Sequence, residues 1–121
     1  MAHEFTFDPV GPDGILKIRW TAGVVITEAL ARAALLEIAA LTKGRGVPIL
    51  ADIRRIKSMS REGRKTFGDA GASYTALALI ASSPVTQMIA NFFIGINRTT
   101  TPQQMFTDEG KAIAWLQQYP A

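Results

Sequence analysis

The chain has 121 residues, 48% of them hydrophobic, a net charge of +3 and no cysteine. That length gives one domain over residues 1–121 with its own apolar core. The composition excludes disulfides, thiol nucleophiles and thiolate zinc sites, and the mild charge predicts no general affinity for nucleic acid.

The first ten residues contain acids and no continuous apolar run, and "ALALIA" and "MIANFFIGI" are far shorter than the roughly 20 residues that cross a bilayer. The expectation is a soluble cytoplasmic protein without stable membrane insertion.

"FTFDPV" and "ILKIRW" are alternating segments joined by the turn "GPDG", which predicts a hairpin. Leu16, Ile18 and Trp20 fall on one face of its second strand, Lys17 and Arg19 on the other. Thr27 is placed to cap a helix through "EALARAALLEIAALTK" that stops at Gly44. Leu30, Ala34, Ile38 and Leu41 form its apolar stripe, with Glu28 in the first turn and Lys43 in the last, as the helix dipole favours. "VPILADI" is a short apolar run, as in a strand buried on both faces.

Six of the 13 lysines and arginines then crowd into residues 54–65: Arg54, Arg55, Lys57, Arg61, Arg64 and Lys65, against Glu62 alone. "SREGRKTFGDAGAS" predicts a helix weakened by Gly63, Gly68 and Gly71. These glycines allow close helix-on-sheet packing or leave room for a ligand. "YTALALIAS" is the next buried strand. Ser83 and Pro84 open the helix "PVTQMIANFFIGI", "QQMFT" is a last strand, and Asp108 caps the closing helix "EGKAIAWLQQY". Strands alternating with helices imply an α/β fold: an N-terminal hairpin, then a mostly parallel sheet flanked by helices.

This order, together with "MFTDEGKAIAWL", resembles the SpoIIAA-like (STAS-like) fold of anti-sigma-factor antagonists, and actinobacterial proteins of unknown function within that group. The resemblance covers nearly the whole chain. It implies a non-enzymatic regulatory or protein-interaction module. In the antagonists a strand ending in Asp leads to an Asp-Ser-Ser-Gly signature whose second serine is phosphorylated. The strand Asp matches Asp52 and the signature falls on Ser60, Arg61, Glu62 and Gly63, so the phosphoacceptor position holds Glu62. A carboxylate mimics a phosphate weakly, with one charge where phosphate carries up to two.

The residues themselves point to the same loop. A strand handing over to a helix N-terminus leaves backbone N–H groups open to anions, and parallel sheets hold ligands at the carboxyl ends of their strands. The partner- or anion-binding candidates are Asp52, Arg54, Arg55, Lys57, Ser58, Ser60, Arg61, Glu62 and Arg64. The plainer alternative is a capping serine, an acid in the first turn and a solvated cationic face. In the helix 84–96, Met88, Phe92 and Phe93 are candidate interface residues for a protein partner or a homodimer, against core packing as the other reading.

Catalysis has little support: His3 is the lone histidine, and without cysteine the common nucleophile–base pairs cannot form. Asp52 is more simply satisfied by Arg54 or a backbone N–H than paired with Asp108 or Glu109. No cofactor or metal is implied. A small anionic or amphipathic, lipid-like ligand held beside the basic loop is the alternative function.

Overall fold

The computed structural model describes residues 4–8, 10–69, 74–96 and 101–119, the side chain of Ile96 excepted. His3 and Gly71, singled out from the sequence, lie outside the described residues.

The elements run β1 (Phe5–Asp8), β2 (Leu16–Trp20), β3 (Val25–Ile26), α1 (Glu28–Thr42), β4 (Val47–Asp52), β5 (Ser58–Met59) and α2 (Arg61–Asp69). They continue with β6 (Tyr74–Ile80), α3 (Pro84–Ile96), β7 (Gln103–Phe106) and α4 (Glu109–Leu116). Five strands form one sheet in the order β1-β2-β4-β6-β7. β1 joins β2 antiparallel, with Phe5 opposite Trp20, while the β2–β4, β4–β6 and β6–β7 pairs are parallel. This is the mostly parallel sheet with an antiparallel edge that the order of elements predicts.

The period of two along the strands divides the core. Leu16, Ile18, Trp20, Ile49, Ala51, Leu77 and Leu79 point to one face, where α1, α2 and α3 cover them with Ala31, Ala34, Ile38, Phe67, Ile89 and Phe93. Leu50, Ala76, Ala78 and Ile80 point to the other face and meet Ala112 and Leu116 of α4. Among the described residues no helix is long and apolar enough to cross a membrane.

Three details depart from the sequence reading. β3 and β5, two residues each, form a separate parallel pair, with Val25 opposite Ser58 and Ile26 opposite Met59; strands that short carry no readable periodicity. The buried seam of α1 is Ala31, Ala34, Ile38 and Thr42, while Leu41 is 44% exposed. The seam steps by four from Ala34, and Thr42 is tolerated in it because its hydroxyl donates to the Ile38 carbonyl at 2.8 Å. Lys43 stands beyond the last helical turn, left-handed at φ 55°, with Gly44 left-handed after it. Two successive positive φ values stop the helix, and glycine takes the second without steric cost.

Candidate functional site

The basic stretch is an ordered connection, and its apolar residues explain why. Ile53, Ile56 and Met59 recur every third residue and are all buried. The Ile53 N–H donates to the Ile80 carbonyl at 3.0 Å and extends the sheet by one bond. The chain is then tied to residues 23–26: Gly23 N–H to the Arg55 carbonyl, Lys57 N–H to that of Val24, both 2.8 Å, and Ser60 N–H to that of Ile26, 2.9 Å. With every third residue pinned inward, Arg54, Arg55, Lys57 and Arg61 are exposed. The spacing I-x-x-I-x-x-M is the signal in the sequence that identifies this anchored backbone.

Asp52 ends β4 with its side chain only 13% exposed. Arg54 folds back on it with two parallel bonds, Nε to Oδ1 at 2.9 Å and Nη2 to Oδ2 at 2.7 Å, and the Arg54 backbone N–H adds a third at 3.1 Å. Burial pushes the Asp52 carboxyl up, but the bonds and charge of Arg54, with Arg19 behind them, outweigh it and hold the group below the usual carboxylate range. Arg54 is raised in turn, chiefly by its side-chain bond to Asp52.

The sheet register sets Thr6 opposite Arg19, and Arg19 opposite Asp52, in a row across β1, β2 and β4. Arg19 pairs with Asp8 and lies 3.7 Å from Glu109. It is raised first by its bond to Asp8, against desolvation, and further by the charges of Asp8, Glu109 and Asp52. Beside this row, at the carboxyl ends of β2, β4 and β6, an open cleft of about 610 Å³ is lined by Thr6, Arg19, Asp52, Arg54, Arg55 and Ser82 among others. Sequence reasoning missed Arg19, Thr6 and Ser82, because only the strand order brings them to Asp52. Asp108 is committed elsewhere: its Oδ1 accepts from Gly110 N–H at 2.7 Å and Lys111 N–H at 3.3 Å.

The remaining loop residues gather at the start of α2. Ser58 is half-buried in β5. Ser60 is the helix cap, its Oγ accepting from Gly63 N–H at 2.9 Å and its carbonyl from Arg64 N–H at 3.0 Å. Glu62 is exposed in the first turn, where a negative charge suits the helix dipole. A Cβ on Gly63 would stand 2.8 Å from the Ile26 carbonyl oxygen, so this glycine serves close packing of α2 on the β3–α1 junction. Arg64 is half-buried, with its guanidinium carbon 5.9 Å from the Phe92 ring centroid.

The candidate interface divides. Met88 and Phe92 are 53% and 54% exposed, whereas Phe93 is 2% exposed and packs 6.2 Å from the Phe67 ring. Phe93 is core, one residue or 100° round the helix from Phe92. An interior cavity of about 40 Å³ lies under α1–α3 between Trp20, Leu35, Phe67, Tyr74 and Phe93 among others. Burial pushes the Tyr74 hydroxyl up to about 12, and Gln103 bonds it at 3.3 Å.

This arrangement of strands and helices is the SpoIIAA-like fold. An uncharacterised protein of the DUF3478 family from Shewanella loihica PV-4, described as SpoIIAA-like, matches with a TM-score of 0.64 at 16% identity, over 93% of this chain and 91% of its own. The unphosphorylated anti-sigma factor antagonist SpoIIAA matches with a TM-score of 0.61 at 17% identity, over 92% and 96%. The chain belongs to the family described as Domain of unknown function (DUF7793), whose model matches residues 10–120. A protein of unknown function from Arthrobacter sp. FB24 is 32% identical over 92% of this chain and 97% of its own, with a TM-score of 0.37. No curated protein matches the sequence.

Proposed function

We propose that this chain, as one domain, is a non-enzymatic regulatory or protein-interaction module that recognises an acidic partner through the cations of residues 54–65. The observation that carries the reading is the anchoring of that stretch. Buried Ile53, Ile56 and Met59 and the hydrogen bonds to residues 23–26 hold Arg55, Lys57 and Arg61 outward on a fixed backbone. A pre-ordered cationic surface loses little entropy on binding and steers an acidic partner toward it. Glu62 at the phosphoacceptor position makes the charge there permanent, so this module works without the phosphorylation switch of the antagonists it resembles.

The test is capture from an extract of the source organism by wild type and by Arg55→Glu/Lys57→Glu. Both positions are exposed, so folding should be unchanged and capture lost. Undiminished capture by the double variant removes the loop from the account. Arg54 is left intact, because reversing it would strand Asp52.

One observation favours a second reading, a small anionic or lipid-like ligand: the open cleft at the strand ends, with Arg55 on its wall. The interior cavity of about 40 Å³ does not favour a lipid, since ligand pockets are typically about 300–1,000 Å³. A rise in melting temperature with inorganic phosphate or citrate that Arg55→Glu abolishes would support the cleft. The same rise in both proteins, the general effect of excluded anions, or a flat response would leave the protein-interaction reading alone.

A further inference from the structure

We infer that the outer face of α3 docks an acidic amphipathic helix of a partner protein, with the α3-facing edge of α2 supplying the cationic rim. The inference deepens the interaction-module reading and rests on it.

α3 carries no charged residue over its 13 positions. A helix packed on a sheet normally turns charge outward. Here the outward stripe is Val85, Met88 and Phe92, each 52–54% exposed. Their spacing of three and four keeps them in one row, and Gly95 continues it with open space above its Cα. Inward, Ile89, Ala90 and Phe93 fix the helix in the core.

The neighbouring helix sorts its charges by side. Arg64 lies over Phe92, and Phe67 meets Phe93, so this edge of α2 faces α3; Arg61 is one turn from Arg64 on the same edge. Thr66 and Asp69 instead line a groove with Arg32, Leu35 and Leu36 of α1. Glu62 shares that row, four and seven residues from them. The acids therefore lie toward α1, while Arg61 and Arg64 border the apolar stripe.

A row of apolar anchors with a one-sided cationic rim matches a helix with apolar residues at i, i+3 or i+4 and i+7 and acids along its flank. A second copy of this chain fits less well: α3 carries no acid to meet the rim, and antiparallel packing of two α3 helices brings the like-charged rims together. A membrane surface fits less well too, since α3 is held in the core and offers only three side chains for insertion.

The experiment uses a labelled helical peptide of about 18 residues, with leucines in that pattern and glutamates elsewhere, read by fluorescence anisotropy. A twin with lysine for glutamate and phosphatidylserine vesicles are run alongside, and native mass spectrometry reports the chain's own oligomeric state. The expected result is a monomer that binds the acidic peptide and neither the lysine twin nor the vesicles. Met88→Asp should weaken binding at least about 10-fold, and Arg61→Glu about 5-fold with a weaker salt dependence. Phe92→Asp disturbs the Arg64 stack, so Met88→Asp, checked by its melting curve, is the deciding variant.

No binding, equal binding of both peptides, or binding unaffected by Met88→Asp overturns the inference. Preference for vesicles, or a dimer that Met88→Asp dissociates, assigns the face to a membrane or a second copy and overturns it equally. If Met88→Asp keeps full capture from extract while Arg55→Glu/Lys57→Glu loses it, this inference falls and the interaction-module reading stands.

Discussion

Replacing Gly63 and Gly95 with alanine sets two opposed effects against each other in one protein. Alanine is favoured over glycine inside a helix by about 0.5–1 kcal/mol, because the unfolded chain has less freedom to lose. At Gly95 nothing lies within 4 Å of the new Cβ, so that gain is uncorrected. At Gly63 the Cβ would stand 2.8 Å from the Ile26 carbonyl oxygen and 3.3 Å from that of Thr27. The obstacle is backbone, and the Ile26 oxygen is already held by Ser60 N–H at 2.9 Å. Relief requires shifting the start of α2 away from β3, an overpacking cost of about 1–3 kcal/mol. The propensity gain offsets part of it, leaving Gly63→Ala about 1–2 kcal/mol less stable. For a chain of this size that is a fall in Tm of about 4–8 °C, with Gly95→Ala rising about 2–4 °C. Urea unfolding and thermal melts followed by circular dichroism measure both. Gly63→Ala at or above wild-type stability would refute the packing role, and a parallel loss at Gly95 would show that local space is not what decides the sign.

Arg54→Ala should cost about 1–2 kcal/mol at neutral pH, a charge-assisted pair discounted for the exposure of the arginine. The folded Asp52 carboxyl titrates below its unfolded value of about 4. Its contribution is thus complete above that pH and is lost as pH falls through the folded value. Without Arg54, burial dominates and raises the group, so the deficit against wild type should shrink in urea melts below about pH 4; a constant deficit would discount the pair. Ser60→Ala removes the acceptor for Gly63 N–H and should cost about 1 kcal/mol in the same melts, and no loss would show that Ser60 is not the cap.

The elements legible in the chain were those with a period long enough to read. β2 shows Leu16, Ile18 and Trp20 at spacing two, and α1 shows Thr27 before its apolar run. Asp108 marks α4 by the same capping chemistry. The two-residue strands β3 and β5 offer no period, and Leu41 looks like Ile38 until the helix is set against α2 and the sheet. At the candidate site, the clustering of Arg54, Arg55, Lys57 and Arg61 was plain, and so was Asp52 with Arg54, since partners two residues apart need no fold to meet. Arg19 and Ser82 were not, because β2 and β6 flank β4 only through the strand order β2-β4-β6.

Sequence alone determined what depends on neighbours along the chain: the longer strands and the helices, the caps Thr27 and Asp108, the buried strand "VPILAD" and the density of charge at 54–65. Tertiary structure decided what depends on neighbours in space. It carried Arg19 to Asp52, set Arg64 over Phe92 of α3 and Asp69 beside α1, and separated Phe92 from Phe93. A helix rotates its next residue by 100° whatever that residue is, so which of two adjacent phenylalanines meets the core depends on where the sheet lies.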